Sequence, residues 1–241
     1  MKTFLLSALL PLTVLLASCH NDLMGPTVRG SGPMTSENRS IRDFTELELP
    51  IDAEVYLTQG LTQEVRVEAQ RNILDVLETD VEGNRLHIDF GRTTVRKHDR
   101  IRVYLTTPTL SRVILAGSGR IESTNTWLLP RLEVSISGSG STDLACEQAT
   151  AVATTISGSG RANWRGNAAR HEISISGSGQ VNSYDLDTDA VDVDLVGSGR
   201  ARVSATEKLD VRISGSGNVY YKGEPSINTQ ISGSGRVLSD N

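Results

Sequence analysis

Aromatic residues make up only 4% of this chain, which argues against an interior built on large rings. Cysteine occurs twice, at Cys19 and Cys146, so no disulfide framework of the kind that braces many small exported domains is available. Histidine occurs four times, as His20, His87, His98 and His171, with none of the spacings that hold zinc. Basic residues are in deficit: 24 Lys and Arg stand against 29 Asp and Glu, for a net charge of −5. That balance leaves no basic footprint for nucleic acid. Long apolar runs are also missing, apart from residues 4–16, and those fall short of the roughly 20 residues that span a bilayer.

This single run reads as a targeting segment. Lys2 precedes it, and it closes on Leu16-Ala17-Ser18-Cys19, which resembles a bacterial lipobox. The small residues at 17 and 18 fit the peptidase, cleavage falls between Ser18 and Cys19, and Cys19 becomes the lipidated first residue of the mature chain. Residues 1–18 are therefore expected to be a lipoprotein signal peptide. An ordinary secretory signal with a coincidental cysteine is the alternative. Removing it takes away Lys2 and no acidic group, so the net charge moves to −6. Several acyl chains on Cys19 make a stable membrane anchor. His20 is not the aspartate that retains some lipoproteins at the inner membrane, which favours the outer one. Residues 19–40 carry Gly25-Pro26 and Gly30-Ser31-Gly32-Pro33 without periodicity. They are expected to form a flexible tether with a reach of about 25 Å.

Residues 41–241 are patterned differently. Leu47 and Leu49, Val55 and Leu57, Val65 and Val67, Leu86 and Ile88, and Val103 and Leu105 each alternate with polar residues, the period of half-buried strands. Residues 73–77 fit a helical turn equally well. From about Leu110 onward, seven copies of Gly-Ser-Gly begin at Gly117, Gly138, Gly158, Gly177, Gly197, Gly215 and Gly233, spaced 18 to 21 residues apart. A drifting period of this size marks stacked repeats. Two residues before each copy stands a large aliphatic: Leu115, Ile136, Ile156, Ile175, Leu195, Ile213 and Ile231. Strict alternation would send these aliphatics and both glycines of each copy inward, with the central serine outward. No single repeat can bury its own apolar face, but a stack can. The fold expected is all-β, a parallel β-solenoid with irregular early rungs or capping strands at its N-terminal side. An antiparallel sandwich with evenly spaced hairpins is the runner-up.

Over residues 41–237 the sequence resembles the bacterial family described as putative auto-transporter adhesin, head GIN domain. The residues that carry the likeness are Phe44-x-x-Leu47, Val55-Tyr56-Leu57-Thr58-Gln59-Gly60, Asn72-Ile73-Leu74, Gly83-Asn84-Arg85-Leu86-His87-Ile88, Pro108-x-Leu110 and the Ser-Gly-Ser-Gly repeats. The resemblance implies a right-handed β-helix-like fold in the cell envelope, acting as an adhesin or as a surface-binding or structural module. It brings no catalytic residues with it.

The residue after each motif is Arg120, Ser141, Arg161, Gln180, Arg200, Asn218 or Arg236. Alternation turns all seven outward, so a stack would carry Arg120, Arg161, Arg200 and Arg236 on one polar stripe. Such a stripe could meet a uronic-acid polymer or lipid phosphate; a solubilising face that deters lateral aggregation is the plainer reading. A glycan or another envelope protein is the expected partner beyond the membrane itself. The acidic run Asp185, Asp187, Asp189, Asp192 and Asp194 lacks the glycine and closing glutamate of a calcium loop, and no metal or cofactor is expected. A polysaccharide-degrading β-helix would need clustered carboxylates on one face, whereas these alternate along strands, so no enzyme is expected. Cys146, in Asp143-Leu144-Ala145-Cys146, is expected to be a buried, inert thiol.

Overall fold

Parallel strands stacked rung upon rung dominate the computed structural model, which describes residues 25–241. The signal segment and Cys19 lie outside the described residues. A typical rung consists of one strand such as Arg131–Gly138, a Gly-Ser-Gly corner, and a second strand that starts at Ser141. The chain then bends again at 147–150, where the register shifts between Cys146 and Ala149 and Gln148 takes a positive φ of 56°. Strands on the same side of successive rungs pair in parallel. Leu115, Ile136, Ile156, Ile175, Leu195, Ile213 and Ile231 are register partners in turn. From Leu115 to Ile213 this aliphatic ladder is at most 2% exposed. The fold is thus a parallel β-solenoid, as the repeat period implies.

The corner departs from simple alternation. The second glycine of each inner motif is buried, but the first sits at the bend with φ near +120°, exposed at Gly138 and Gly158 and half-buried at Gly177. The chain turns at that residue, so the inward–outward count is reset there. Hydrogen bonds from one corner to the next, such as Ser178 N–H to the Gly158 carbonyl at 2.9 Å, continue the ladder through the bend.

The N-terminal strands supply both rungs and a cap. Glu46–Leu49 lies between Arg85–Asp89 and Arg112–Leu115, and Glu54–Gln59 lies between Arg102–Thr107 and Arg120–Ser123, all in parallel. The first rung in the sequence is therefore second in the stack. Outside it the direction reverses: Glu78–Glu82 pairs antiparallel with Arg85–Asp89, and Glu64–Gln70 pairs antiparallel with Arg102–Thr107. A four-residue helix, Arg71–Leu74, buries Ile73 and Leu74 against this end of the core.

The tether expected over residues 19–40 requires correction for its described part. Thr27–Arg29 pairs with Thr94–Arg96, and Met34–Arg39 adds an antiparallel strand to Glu64–Gln70. The Asn72 side chain accepts from Ser31 N–H at 2.9 Å and donates to the Arg29 carbonyl at 2.6 Å. These are edge strands held largely by backbone pairing, with few apolar side chains to reveal them in the sequence.

Candidate functional site

The seven residues that follow the motifs fall into one line. Arg120 is the register partner of Ser141, Ser141 of Arg161, Arg161 of Gln180, Gln180 of Arg200, Arg200 of Asn218, and Asn218 of Arg236. Neighbouring parallel strands lie about 4.8 Å apart, so arginines on alternate rungs recur every 9–10 Å or so. From Arg120 to Arg236 the line runs about 29 Å. The central serines of the corners form an exposed ladder beside it.

These four arginines differ from the ion-paired cations of the opposite face, although Arg202 and Lys222 beside them are likewise without an ion pair among the described residues. Among the described residues, none of the four makes an ion pair or a side-chain hydrogen bond. On the other face of the solenoid, cations are matched by carboxylates: Arg85 with Glu46 at 2.8 Å, Arg112 with Glu133 at 2.5 Å, Arg170 with Asp192 at 2.6 Å and Arg212 with Asp194 at 3.3 Å. The Arg85 guanidinium beside Glu46 holds that carboxyl below its ordinary pKa. Arg120, Arg161 and Arg236 are exposed, while Arg200 is half-buried with its Nε shielded and unpartnered.

The next outward position on each rung forms a second lane, in which Glu122, Asp143, Asn163, Asn182, Arg202 and Tyr220 are successive partners. Its acidic members flank Arg120, where Glu54 is also the register partner and binds Arg100 and Arg102. Its amides, Arg202 and Tyr220 flank Arg161, Arg200 and Arg236. The guanidinium carbons of Arg200 and Arg202 stand 5.9 and 5.8 Å from the Tyr220 ring centroid. The C-terminal half of the ladder is thus the half best suited to an anion.

The acidic run does not converge. Asp185, Asp187 and Asp189 are exposed around the second corner, while Asp192 and Asp194 lie on the other face beside Arg170 and Arg212. Among the described residues no group of three potential metal ligands comes together. His87 lies beside Glu48 at 3.5 Å, and His98 contacts the Asp99 carbonyl. Cys146 is fully buried and its thiol is pushed up to about 11 by burial, which leaves it a poor nucleophile at neutral pH.

One polar group in the core lay beyond the reach of motif reading. Trp164 Nε1–H donates to Thr154 Oγ1 at 2.9 Å, and that hydroxyl meets His171 Nε2 at 3.0 Å. His171 is fully buried, with Nδ1 unpartnered. The available signal was positional: its register partners are Val152 and Val191, with Leu132 and Leu209 one rung beyond them, and histidine alone breaks that apolar lane.

A family model described as "Putative auto-transporter adhesin, head GIN domain" matches residues 43–225. Several solved structures are similar, three of them as follows. One, described as a putative adhesin from Bacteroides fragilis, is 21% identical, covers 88% of this chain and 99% of its own, and superposes with a TM-score of 0.80. A second, described as a putative lipid binding protein from Parabacteroides distasonis, is 23% identical over 89% of this chain and 100% of its own, with a TM-score of 0.77. A third, described as a putative adhesin from the same species, is 24% identical over 88% and 99%, with a TM-score of 0.72. At these identities the likeness establishes the fold. No curated protein matches the sequence. Among the described residues no helix is long and apolar enough to cross a membrane.

Proposed function

This chain belongs to the family described as putative auto-transporter adhesin, head GIN domain, and from that premise we propose that it is a non-catalytic envelope lipoprotein that binds an anionic polysaccharide along its arginine ladder. The observation that carries the reading is the ladder itself: four arginines on alternate rungs of one line, none matched by a carboxylate. A line that served only for solvation would be expected to be neutralised like the cations of the other side, and like Arg165 beside Asp143 and Arg100 beside Glu54 on its own face.

The spacing selects a ligand class. Two sugar rings extend about as far as two rungs, 9–10 Å or so, so a polymer with a carboxylate on every second sugar can meet successive arginines. The guanidinium fork suits carboxylates geometrically. Asn163, Asn182 and Tyr220 offer amides for hydroxyl groups and an aromatic face for a sugar ring.

Replacing Arg120, Arg161, Arg200 and Arg236 together by alanine is expected to weaken binding of an alternating uronate oligosaccharide at least tenfold or so, taking a fraction of a kcal/mol to 1 kcal/mol for each exposed contact. Calorimetric titration measures this, with anionic lipid vesicles as a parallel arm. Equal affinity in wild type and variant would sink the proposal, and binding to vesicles alone would move the anion from glycan to lipid phosphate.

Anchoring through Cys19 is the second element of the reading, supported by the lipobox-like Leu16-Ala17-Ser18-Cys19. Cys19→Ser is expected to shift the protein from the membrane fraction to the soluble fraction on cell fractionation. Unchanged membrane retention would argue for another mode of attachment.

A further inference from the structure

The two ends of the solenoid are finished differently. At the N-terminal end, antiparallel pairings occupy the edge, and the outermost strands carry charge: Glu78, Asp80 and Glu82 on one side, Glu37 and Arg39 on the other. Charged edges resist pairing with further strands. At the C-terminal end no reversed strand covers the outermost rung among the described residues. Ser226–Gly233 pairs in parallel with Lys208–Gly215 on its inner side, and among the described residues nothing pairs on its outer side. Ile227 and Ile231 occupy inward positions yet are 41% and 44% exposed, whereas their partners one rung below, Leu209 and Ile213, are 0% and 2% exposed. No charged residue, proline or bulge protects this strand; its sequence is Ser226-Ile227-Asn228-Thr229-Gln230-Ile231-Ser232.

That sequence is a chemical palindrome about Thr229. We infer that this edge is a docking surface for a second copy of the chain, the two strands pairing antiparallel about a two-fold axis at Thr229. In that register Ile227 faces Ile231 of the second copy, Asn228 faces Gln230, and Ser226 faces Ser232. Directly opposed residues of an antiparallel pair lie on the same face, so the isoleucines and threonines continue the core across the junction. The outward pairs are amide with amide and hydroxyl with hydroxyl. No like charges meet. A head-to-tail arrangement would instead set this uncharged strand against Glu78, Asp80 and Glu82, with nothing to neutralise them, or against the charged pair Glu37 and Arg39. The strand is thus complementary to itself and not to the other end, which gives a closed dimer and not an open filament.

The test uses the full chain carrying Cys19→Ser, to keep lipid out of the assay, and sedimentation equilibrium. The wild-type surface is expected to give a dimer. Asn228→Lys with Gln230→Lys places two like-charged pairs across the axis and is expected to raise the dissociation constant about tenfold. Asn228→Lys with Gln230→Glu makes the same pairs attractive and is expected to keep the dimer. Both positions point outward and are exposed, so neither variant disturbs the core, and circular dichroism verifies this. A wild-type chain that stays monomeric up to its solubility limit overturns the proposal, as does a dimer indifferent to the double lysine. Equal weakening by both variants would overturn the register.

Discussion

Gly177→Ala is expected to destabilise the solenoid by about 2–5 kcal/mol, the sum of strain at a positive φ and overpacking against backbone. Gly177 has φ +118°, and a Cβ there would stand 2.7 Å from the Gly158 carbonyl oxygen one rung below. That oxygen already accepts the Ser178 N–H at 2.9 Å, so it cannot retreat without opening the ladder. The geometry repeats up the stack: at Gly158 the contact is 2.8 Å from the Gly138 oxygen, and at Gly197 it is 2.5 Å from the Gly177 oxygen. Because each rung is stabilised by its neighbours, damage to one corner weakens the interfaces on both sides of it. Ser178→Ala, one residue away and facing solvent, is expected to stay within about 0.5 kcal/mol of wild type. Denaturant titrations followed by far-ultraviolet circular dichroism compare the two. Equal, small effects would contradict corners stacked glycine on glycine.

Acid is expected to weaken the fold through His171. Only one nitrogen of this ring has a partner in either tautomer, its edge-on neighbour is Trp164 at 6.0 Å, and burial pushes its pKa down from 6.5 to about 3. Between those values the unfolded chain binds a proton that the folded chain does not. Stability is therefore complete above about pH 6.5 and falls as the pH drops, by about 1.4 kcal/mol per pH unit, until the folded-state pKa is reached. From pH 6.5 to pH 5 the loss is about 2 kcal/mol. His171→Leu restores the residue type of the neighbouring rungs and is expected to remove this contribution. Denaturant midpoints measured against pH should diverge between wild type and variant below pH 6.5; parallel curves would show that the proton is not taken up on unfolding at this site.

The repeat region was legible because its lateral order is local. The aliphatic two residues before each glycine, the corner, and the outward residue after it all recur at one phase, so a stack puts like upon like. Register between Arg120 and Arg236 follows from that recurrence. The first glycine misled because alternation assumes a straight strand, while Gly138 and its counterparts turn the chain. Threading was hidden for a different reason. Nothing in the alternation of Leu47 and Leu49 states that Arg85–Asp89 will lie on one side of them and Arg112–Leu115 on the other, because pairing order is a long-range choice. Residues 27–39 looked like tether because strands at a sheet edge can be held by backbone hydrogen bonds with little apolar pattern. The freedom of the ladder arginines from carboxylates was likewise invisible: Glu122 and Asp143 are near them in sequence, but ion pairing depends on which lane each side chain joins.

The central claim is that the arginine ladder reads a linear polyanion along its length. The most direct measurement titrates the protein with alternating uronate oligosaccharides of increasing length at fixed salt. If the ladder is the site, affinity rises with each added disaccharide as a further arginine comes within reach, until the ligand spans the 29 Å or so from Arg120 to Arg236, and it falls as salt is raised. Affinity that is independent of length, or unchanged when the four arginines are replaced, would contradict the account.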